Sequence, residues 1–310
     1  MVRFVPLVVD LPAPPARLEN GSEWPAVSKM AAKLNCEGGG WSVGLIRHYF
    51  SGMKQSLAET WARKVGGWGK QTIPPKVWHL LKEAAARFVY AGNLRVLARI
   101  YGSDKWGSHW YAQHYERHLG ARRKRKIVLL ELGIGGYDNP RGGGASLRMW
   151  QKYFPRGRIH GVDIHDKRVH DDTRIKTFVG DQSDERFLRQ VIAEIGPPDI
   201  IIDDGSHVNA HVLNSFEVLF PLLAEDGIYV VEDVCTSYWP DHGGSSTDLN
   251  AATTSMGMFK ALVDGLNHKE FVGRVRKPTY CDENIVALHF YHNLVFCHKG
   301  KNAEQGTLNA

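Results

Sequence analysis

Beyond residue 126 the chain alternates between short apolar runs and amphipathic stretches. The runs IVLLEL (127–132), RIHGVDI (158–164), IKTFV (175–179), DIIID (199–203) and IYVVED (228–233) are rich in β-branched residues and have strand length. Between them, segments near 144–153, 184–195 and 209–224 have helical character. This alternation predicts a parallel sheet with helices on both faces. The last two runs, IVALHFYH (285–292) and LVFCHKG (294–300), are nearly contiguous. Only a tight reversal fits between them, so an antiparallel hairpin should close one end of the sheet. The expected fold class is α/β: a Rossmann-like doubly wound sheet with a C-terminal antiparallel hairpin, the outline of a class I methyltransferase.

Upstream the pattern differs. Pro12, Pro14 and Pro15 stiffen the start of the chain, and Gly38–Gly40 break it again. Helical spacing then predicts helices over about 43–65 and 76–101, separated by Pro74–Pro75, with Val77, Leu80, Leu81, Ala84 and Phe88 on one apolar face. A short aromatic helix from about 107 leads into the basic run Arg122–Lys126. Trp110, His114 and His118 recur every four residues and read as an amphipathic aromatic stripe. The expected organisation is a mainly helical region over 1–95, a catalytic domain over 96–300 and a tail over 301–310.

Composition narrows the class. The 310 residues are 43% hydrophobic and 23% charged, ordinary for a globular protein. No apolar run approaches the ~18 residues of a membrane span. The four cysteines are scattered with no CxxC pair, which argues for a reducing cytoplasm and against disulfides or a cysteine zinc site. Charge is uneven: residues 1–126 hold 21 Lys+Arg and 8 Asp+Glu, and the remainder 18 and 25. Such asymmetry suits a solvated face or a neighbouring subunit, so a homo-oligomer is expected. The run Arg122–Lys126 reads as a solvated linker rather than a nucleic-acid patch, because it lies before the first strand's entry, away from the expected active mouth.

The candidate chemistry gathers at strand ends. The first strand runs into Glu131-Leu-Gly133-Ile-Gly135-Gly136-Tyr-Asp138. Gly133 and Gly135 permit a sharp turn and close ligand approach. A dinucleotide loop would want glycine where Asp138 stands, which disfavours a nicotinamide oxidoreductase. Glu131 suits the cationic amino group of a methionine moiety. Asp163 ends the second strand, where a carboxylate can accept ribose hydroxyls, and Asp181-Gln182 follow the third, where polar groups can read an adenine edge. These positions point to S-adenosylmethionine as cofactor. The fourth strand ends in Asp203-Asp204-Gly-Ser-His207 and the fifth in Glu232-Asp233. Carboxylates that close repel unless a cation neutralises them. Hard oxygen donors suit Mg²⁺, Ca²⁺ or Mn²⁺ better than zinc. His207, on the same loop, can take a proton from an alcohol. His211, one helical turn further on, reads as helix surface.

The segments ELGIGGYDNPRGGGASLRMW (131–150), GDQSD (180–184), DDGSHVNAH (203–211) and VVEDVCTSYWPDHGG (230–244) resemble the macrolide-sugar O-methyltransferase family. YGSDKWGSHWYAQHYERHL (101–119) resembles that family's lead-in to the catalytic domain. The resemblance covers roughly 96–300. It implies that Asp204, Glu232 and Asp233 hold Mg²⁺ and that His207 is the general base. It also implies that Asp163 binds the ribose, and Asp181 and Gln182 the adenosine end, of S-adenosylmethionine. The implied acceptor is a hydroxyl of a sugar in a glycoside, polysaccharide or glycosylated natural product. Two other readings stay open at this point: an RNA-directed methyltransferase gripping phosphates with the basic N-terminal part, and a non-catalytic cofactor-binding assembly module.

Overall fold

The computed structural model describes residue 83 and residues 90–273 and 276–307. The expected helix over 43–65, and the part of 76–101 before residue 90 apart from Glu83, lie outside the described residues. The chain divides into two compact units, Met1–Tyr90 and Ala91–Ala310.

The second unit carries a seven-stranded sheet in the order β3-β2-β1-β4-β5-β7-β6. Strands β1 (Val128–Leu132), β2 (Arg158–Asp163), β3 (Ile175–Val179), β4 (Ile200–Asp203) and β5 (Ile228–Glu232) are parallel. The hairpin β6 (Ile285–Tyr291) and β7 (Leu294–Lys299) is antiparallel, with β7 inserted between β5 and β6. Strands β4 and β5 are buried at every residue, because a parallel sheet is covered on both faces. Edge strand β6 is largely exposed or half-buried, whereas β7 is buried along most of its length.

The helices are α1 (Leu94–Tyr101), α2 (Ala112–Leu119), α3 (Ala145–Tyr153), α4 (Glu185–Ile195), α5 (Asn209–Leu219), α6 (Ser255–Leu266) and α7 (Tyr280–Asn284). The continuous helix expected over 76–101 does not hold to its end. Residues 90–93 form a turn, and α1 starts afresh with the Asn93 side chain accepting from Val96 N at 3.0 Å. Gly92-Asn93 is a breaker followed by a cap, which outweighs the apolar spacing across it. The sequence pattern does not predict helix α6. Its Gly257 and Gly265 read as breakers, but a Cβ at 257 would stand 2.0 Å from the Ala251 carbonyl oxygen, so close packing requires glycine there. Helices α4, α5 and α6 cover one face of the sheet, where Leu188, Val191, Phe216, Leu219 and Phe259 form its core. Phe216 stacks on Phe220 at 4.9 Å and meets Tyr229 and Phe259 edge-on.

The expected stripe splits. His114 and His118 pack on the β6–β7 face, stacking on Tyr291 and Phe296, whereas Trp110 precedes α2 and is 55% exposed. The basic run is tied into the fold: Arg122 and Arg125 converge on Asp226, and Arg123 donates to the Ala91 carbonyl. Among the described residues no helix is long and apolar enough to cross a membrane.

Candidate active site

The register places Leu132 beside Asp203, and Asp203 beside Val231, so the loops after β1, β4 and β5 leave the sheet side by side. This is the carboxyl edge where open α/β sheets bind ligands. The loop after β1 turns through Gly133 (φ 85°) and Gly135 (φ 76°). A Cβ at Gly133 would sit 2.0 Å from the Asp204 backbone oxygen, so the glycine loop and the β4 loop touch backbone to backbone. A Cβ at Gly135 would meet only Gly143 Cα, at 3.9 Å. Asp163 braces this loop, its Oδ2 accepting from Ile134 N at 3.0 Å and its Oδ1 from His165 N at 2.9 Å.

Beneath the loops lies a buried ionic layer that sequence reasoning missed. The Lys105 ammonium stands 2.7 Å from Glu232 Oε1, 2.8 Å from Asp204 Oδ2 and 3.3 Å from Glu131 Oε1. Lys105 and Glu131 are fully buried and Glu232 nearly so. Burial alone would lower the lysine's pKa, but Asp204, Glu232 and Glu131 together hold it well above its usual value. Burial pushes Glu131 up to about 7, Lys105 opposing. Tyr115 donates to Glu232 Oε1 at 2.5 Å, and Ser146 to Glu131 Oε2 at 2.8 Å. The cation demanded by the clustered carboxylates is therefore supplied in part by the protein itself. Glu131, expected to meet a ligand's amino group, has Lys105 as its cationic partner.

Above this layer the donors turn outward. Asp204 Oδ2 accepts from the Lys105 ammonium, which leaves Oδ1 4.0 Å from His207 Nε2. Asp233 receives the Tyr111 hydroxyl on Oδ1 at 2.5 Å and leaves Oδ2 3.9 Å from the same nitrogen. One ligand atom from each of Asp204, His207 and Asp233 lies within 4.8 Å of the others. His207 (φ 57°) and Asp233 (φ 51°) both hold left-handed backbone, which costs a non-glycine residue energy and marks positions fixed by their surroundings. The two carboxylates supply hard oxygen donors of the kind that Mg²⁺ takes, with the imidazole beside them. Glu232, expected in the same ligand set, faces inward, with Oε1 shared between Lys105 and Tyr115.

The remaining expected residues divide. Asp181 sits at the turn after β3, where its carboxylate accepts from Ser183 N at 2.8 Å, and it stays half-buried at the loop surface. Gln182 is buried. Its Nε2 donates to Asp203 and Ser215, and its Oε1 accepts from Ser206 N at 2.7 Å. It thus braces the β4 loop that carries Asp204 and His207. His211 pairs with the Ser206 hydroxyl at 3.0 Å. Lys105, Tyr111 and Tyr115 all come from the lead-in segment. Their only sequence signal was the resemblance of 101–119, which assigned them no role.

Sheet order, glycine loop and carboxylate mouth together define a class I S-adenosylmethionine methyltransferase fold. The curated proteins that the chain matches are sugar O-methyltransferases, the group that its motifs resemble. The chain is 47% identical over 216 residues to mycinamicin VI 2''-O-methyltransferase of Micromonospora griseorubida, covering 69% of this chain and 54% of that protein. It is 46% identical over 237 residues to demethylmacrocin O-methyltransferase of Streptomyces fradiae, covering 74% and 60%. To 8-demethyl-8-alpha-L-rhamnosyl tetracenomycin-C 2'-O-methyltransferase of Streptomyces olivaceus it is 48% identical over 236 residues, covering 76% and 61%. The crystal structure of the mycinamycin-pathway methyltransferase MycE with Mg and SAH superposes with TM-score 0.68 at 47% identity, covering 69% of this chain and 56% of that one. A second MycE structure, with Mg, SAH and mycinamycin VI, gives TM-score 0.68 at 40% identity, covering 83% and 64%. The chain thus spans between 54% and 61% of the length of these three curated relatives. No protein-family model matches it.

Proposed function

We propose that this protein is a Mg²⁺-dependent O-methyltransferase that moves a methyl group from S-adenosylmethionine to a sugar hydroxyl of a glycosylated natural product. The observation that carries the reading is the convergence of Asp204 Oδ1 and Asp233 Oδ2 on His207 Nε2, at 4.0 and 3.9 Å, beside the glycine loop. The sugar O-methyltransferase relatives, and MycE structures holding Mg and SAH, support it.

In this reading Asp204 and Asp233 hold the metal, with Glu232 in the layer below them. When bound, the metal would acidify and orient the acceptor hydroxyl. His207 takes the hydroxyl proton on Nε2, leaving an oxygen nucleophile for the sulfonium methyl. Lys105, Tyr111 and Tyr115 hold the carboxylates in place, so the donor atoms need little rearrangement on binding. Asp163 and the turn at Gly133–Gly135 form the cofactor side of the cleft, with Asp181 at its rim. Much of the rate then comes from placing oxygen and methyl about 3–3.5 Å apart.

Transfer of labelled methyl from S-adenosylmethionine to a panel of macrolide and aromatic-polyketide glycosides, with Mg²⁺ and with EDTA, tests the reading. Mg²⁺-dependent labelling of a deoxysugar is expected. Full activity in EDTA would remove the metal, and labelling of RNA alone would replace the acceptor class. A cytoplasmic homo-oligomer belongs to the same proposal, supported by the free Cys235, Cys281 and Cys297 and the uneven charge along the chain. Light scattering of the purified chain checks the assembly.

A further inference from the structure

A second cluster of ligand-type side chains lies at the far edge of the sheet. On the β6–β7 hairpin, Ala287 pairs with His298 and His289 with Phe296, which makes His289 and His298 diagonal neighbours on one face. Helix α2 lies over that face and brings His118 down onto Phe296 at 4.2 Å. One ring nitrogen from each of His118, His289 and His298 lies within 4.8 Å of the others. His298 Nε2 is 3.1 Å from His118 Nδ1, and the other nitrogen of His118 is 2.9 Å from the Tyr291 hydroxyl. His289 is exposed, so the group opens to solvent on one side.

We propose that His118, His289 and His298 form a second metal site, a three-histidine centre for a borderline divalent transition ion of the zinc class, which fastens the edge hairpin to α2. Two nitrogens bound to one tetrahedral zinc at 2.0–2.1 Å stand about 3.3 Å apart. The His118–His298 pair is already within a few tenths of an ångström of that spacing. An imidazole ligand is normally oriented by an oxygen partner on its other nitrogen, and Tyr291 occupies that place for His118. Donor chemistry separates this site from the carboxylate mouth. Three imidazoles without a carboxylate favour zinc, copper or nickel over Mg²⁺. Burial, with the neighbouring imidazoles and Arg117 adding, holds His118 down to about 4. Burial, His289 and Arg122 do the same for His298.

The test uses the full-length chain without a histidine tag, stripped with chelator and titrated calorimetrically with Zn²⁺ in excess Mg²⁺. One Zn²⁺ per chain is expected, with a raised Tm because the ion binds only the folded hairpin. His289→Ala should weaken that binding at least 100-fold. Tyr291→Phe, which keeps the ring on His114, should weaken it about 10–100-fold. Asp204→Asn should leave it unchanged. His298 is partly buried, so the exposed His289 decides the matter if His298→Ala fails to fold. With Cu²⁺ as probe, electron paramagnetic resonance should show imidazole nitrogen couplings that diminish in His289→Ala. Absence of Zn²⁺ uptake in excess Mg²⁺ overturns the proposal. So does uptake that Asp204→Asn abolishes and His289→Ala spares.

Discussion

At the carboxyl ends of β4 and β5 the outward donors are mostly carboxylate oxygens, and His207 and Asp233 sit on left-handed backbone. At the β6–β7 edge the donors are three imidazoles on regular helix and strand. Both groups place three ligand atoms within 4.8 Å, yet they are built in opposite ways. The mouth rests on a buried cation, Lys105, and on two tyrosine hydroxyls, because anionic groups brought this close need neutralisation and fixed partners. The histidine group needs no buried cation: His118 stacks on Phe296, shares a ring-nitrogen hydrogen bond with His298 and has the Tyr291 hydroxyl on its other nitrogen. Span alone therefore says little about a site. The charge of its donors dictates what the surrounding fold must supply.

The comparison breaks most sharply at Lys105. Lys105→Met would leave Glu131, Glu232 and Asp204 without their shared cation, and unpaired buried charge costs about 3–5 kcal/mol. Urea unfolding should show that loss, with S-adenosylhomocysteine affinity falling alongside. A variant as stable as the parent would mean that the inner layer is not held by ion pairing.

His207→Ala addresses the mouth alone. The side chain is half-buried and its charge partners are no closer than 3.9 Å, so stability should change little. The loss of kcat should be about 10²–10⁴-fold, toward the lower end where a metal already acidifies the hydroxyl. Raising the pH should restore part of it, because hydroxide can replace the imidazole. Near-normal kcat at pH 7 would end the assignment, and His211 would be tested next.

A smaller effect is expected at Tyr111. Tyr111→Phe removes the 2.5 Å hydrogen bond to Asp233 Oδ1 while keeping the ring. Losing an outer-shell partner should weaken Mg²⁺ binding about 10-fold, the low end for such groups. Partial rescue of activity by excess Mg²⁺ would separate this role from a purely structural one.

The smallest change is expected at the other cluster. In chelator, His289→Ala should alter stability by no more than about 0.5 kcal/mol, as for an exposed position outside the core. A larger loss without metal would show that the imidazole ladder itself holds the hairpin.

Much of the fold was legible because strands and helices announce themselves by period. All five parallel strands and the closing hairpin lie where the apolar runs place them, and α3, α4 and α5 begin within a residue of expectation. Where glycine's two roles conflict, the pattern fails. Gly92 stands in the turn before α1, within the span where one continuous helix was expected, whereas Gly257 sits inside α6 because only a missing Cβ lets it pack.

In the site, the sequence by itself determined which residues stand at strand ends. A βα unit brings those ends to one edge whatever the side chains do, so Asp203, Asp204, Glu232 and Asp233 could be grouped at one mouth, with His207 beside them, from strand order. Which way each carboxylate points was decided only by tertiary structure. Lys105, 99 positions from Asp204 and 127 from Glu232, enters from outside the strand pattern and draws Glu131 and Glu232 inward. The same holds for the histidine cluster, whose members meet because α2 docks on a hairpin more than 160 residues later in the chain. Periodicity encodes local geometry. Long-range charge pairing depends on which surfaces finally meet, and that is settled by packing the whole core.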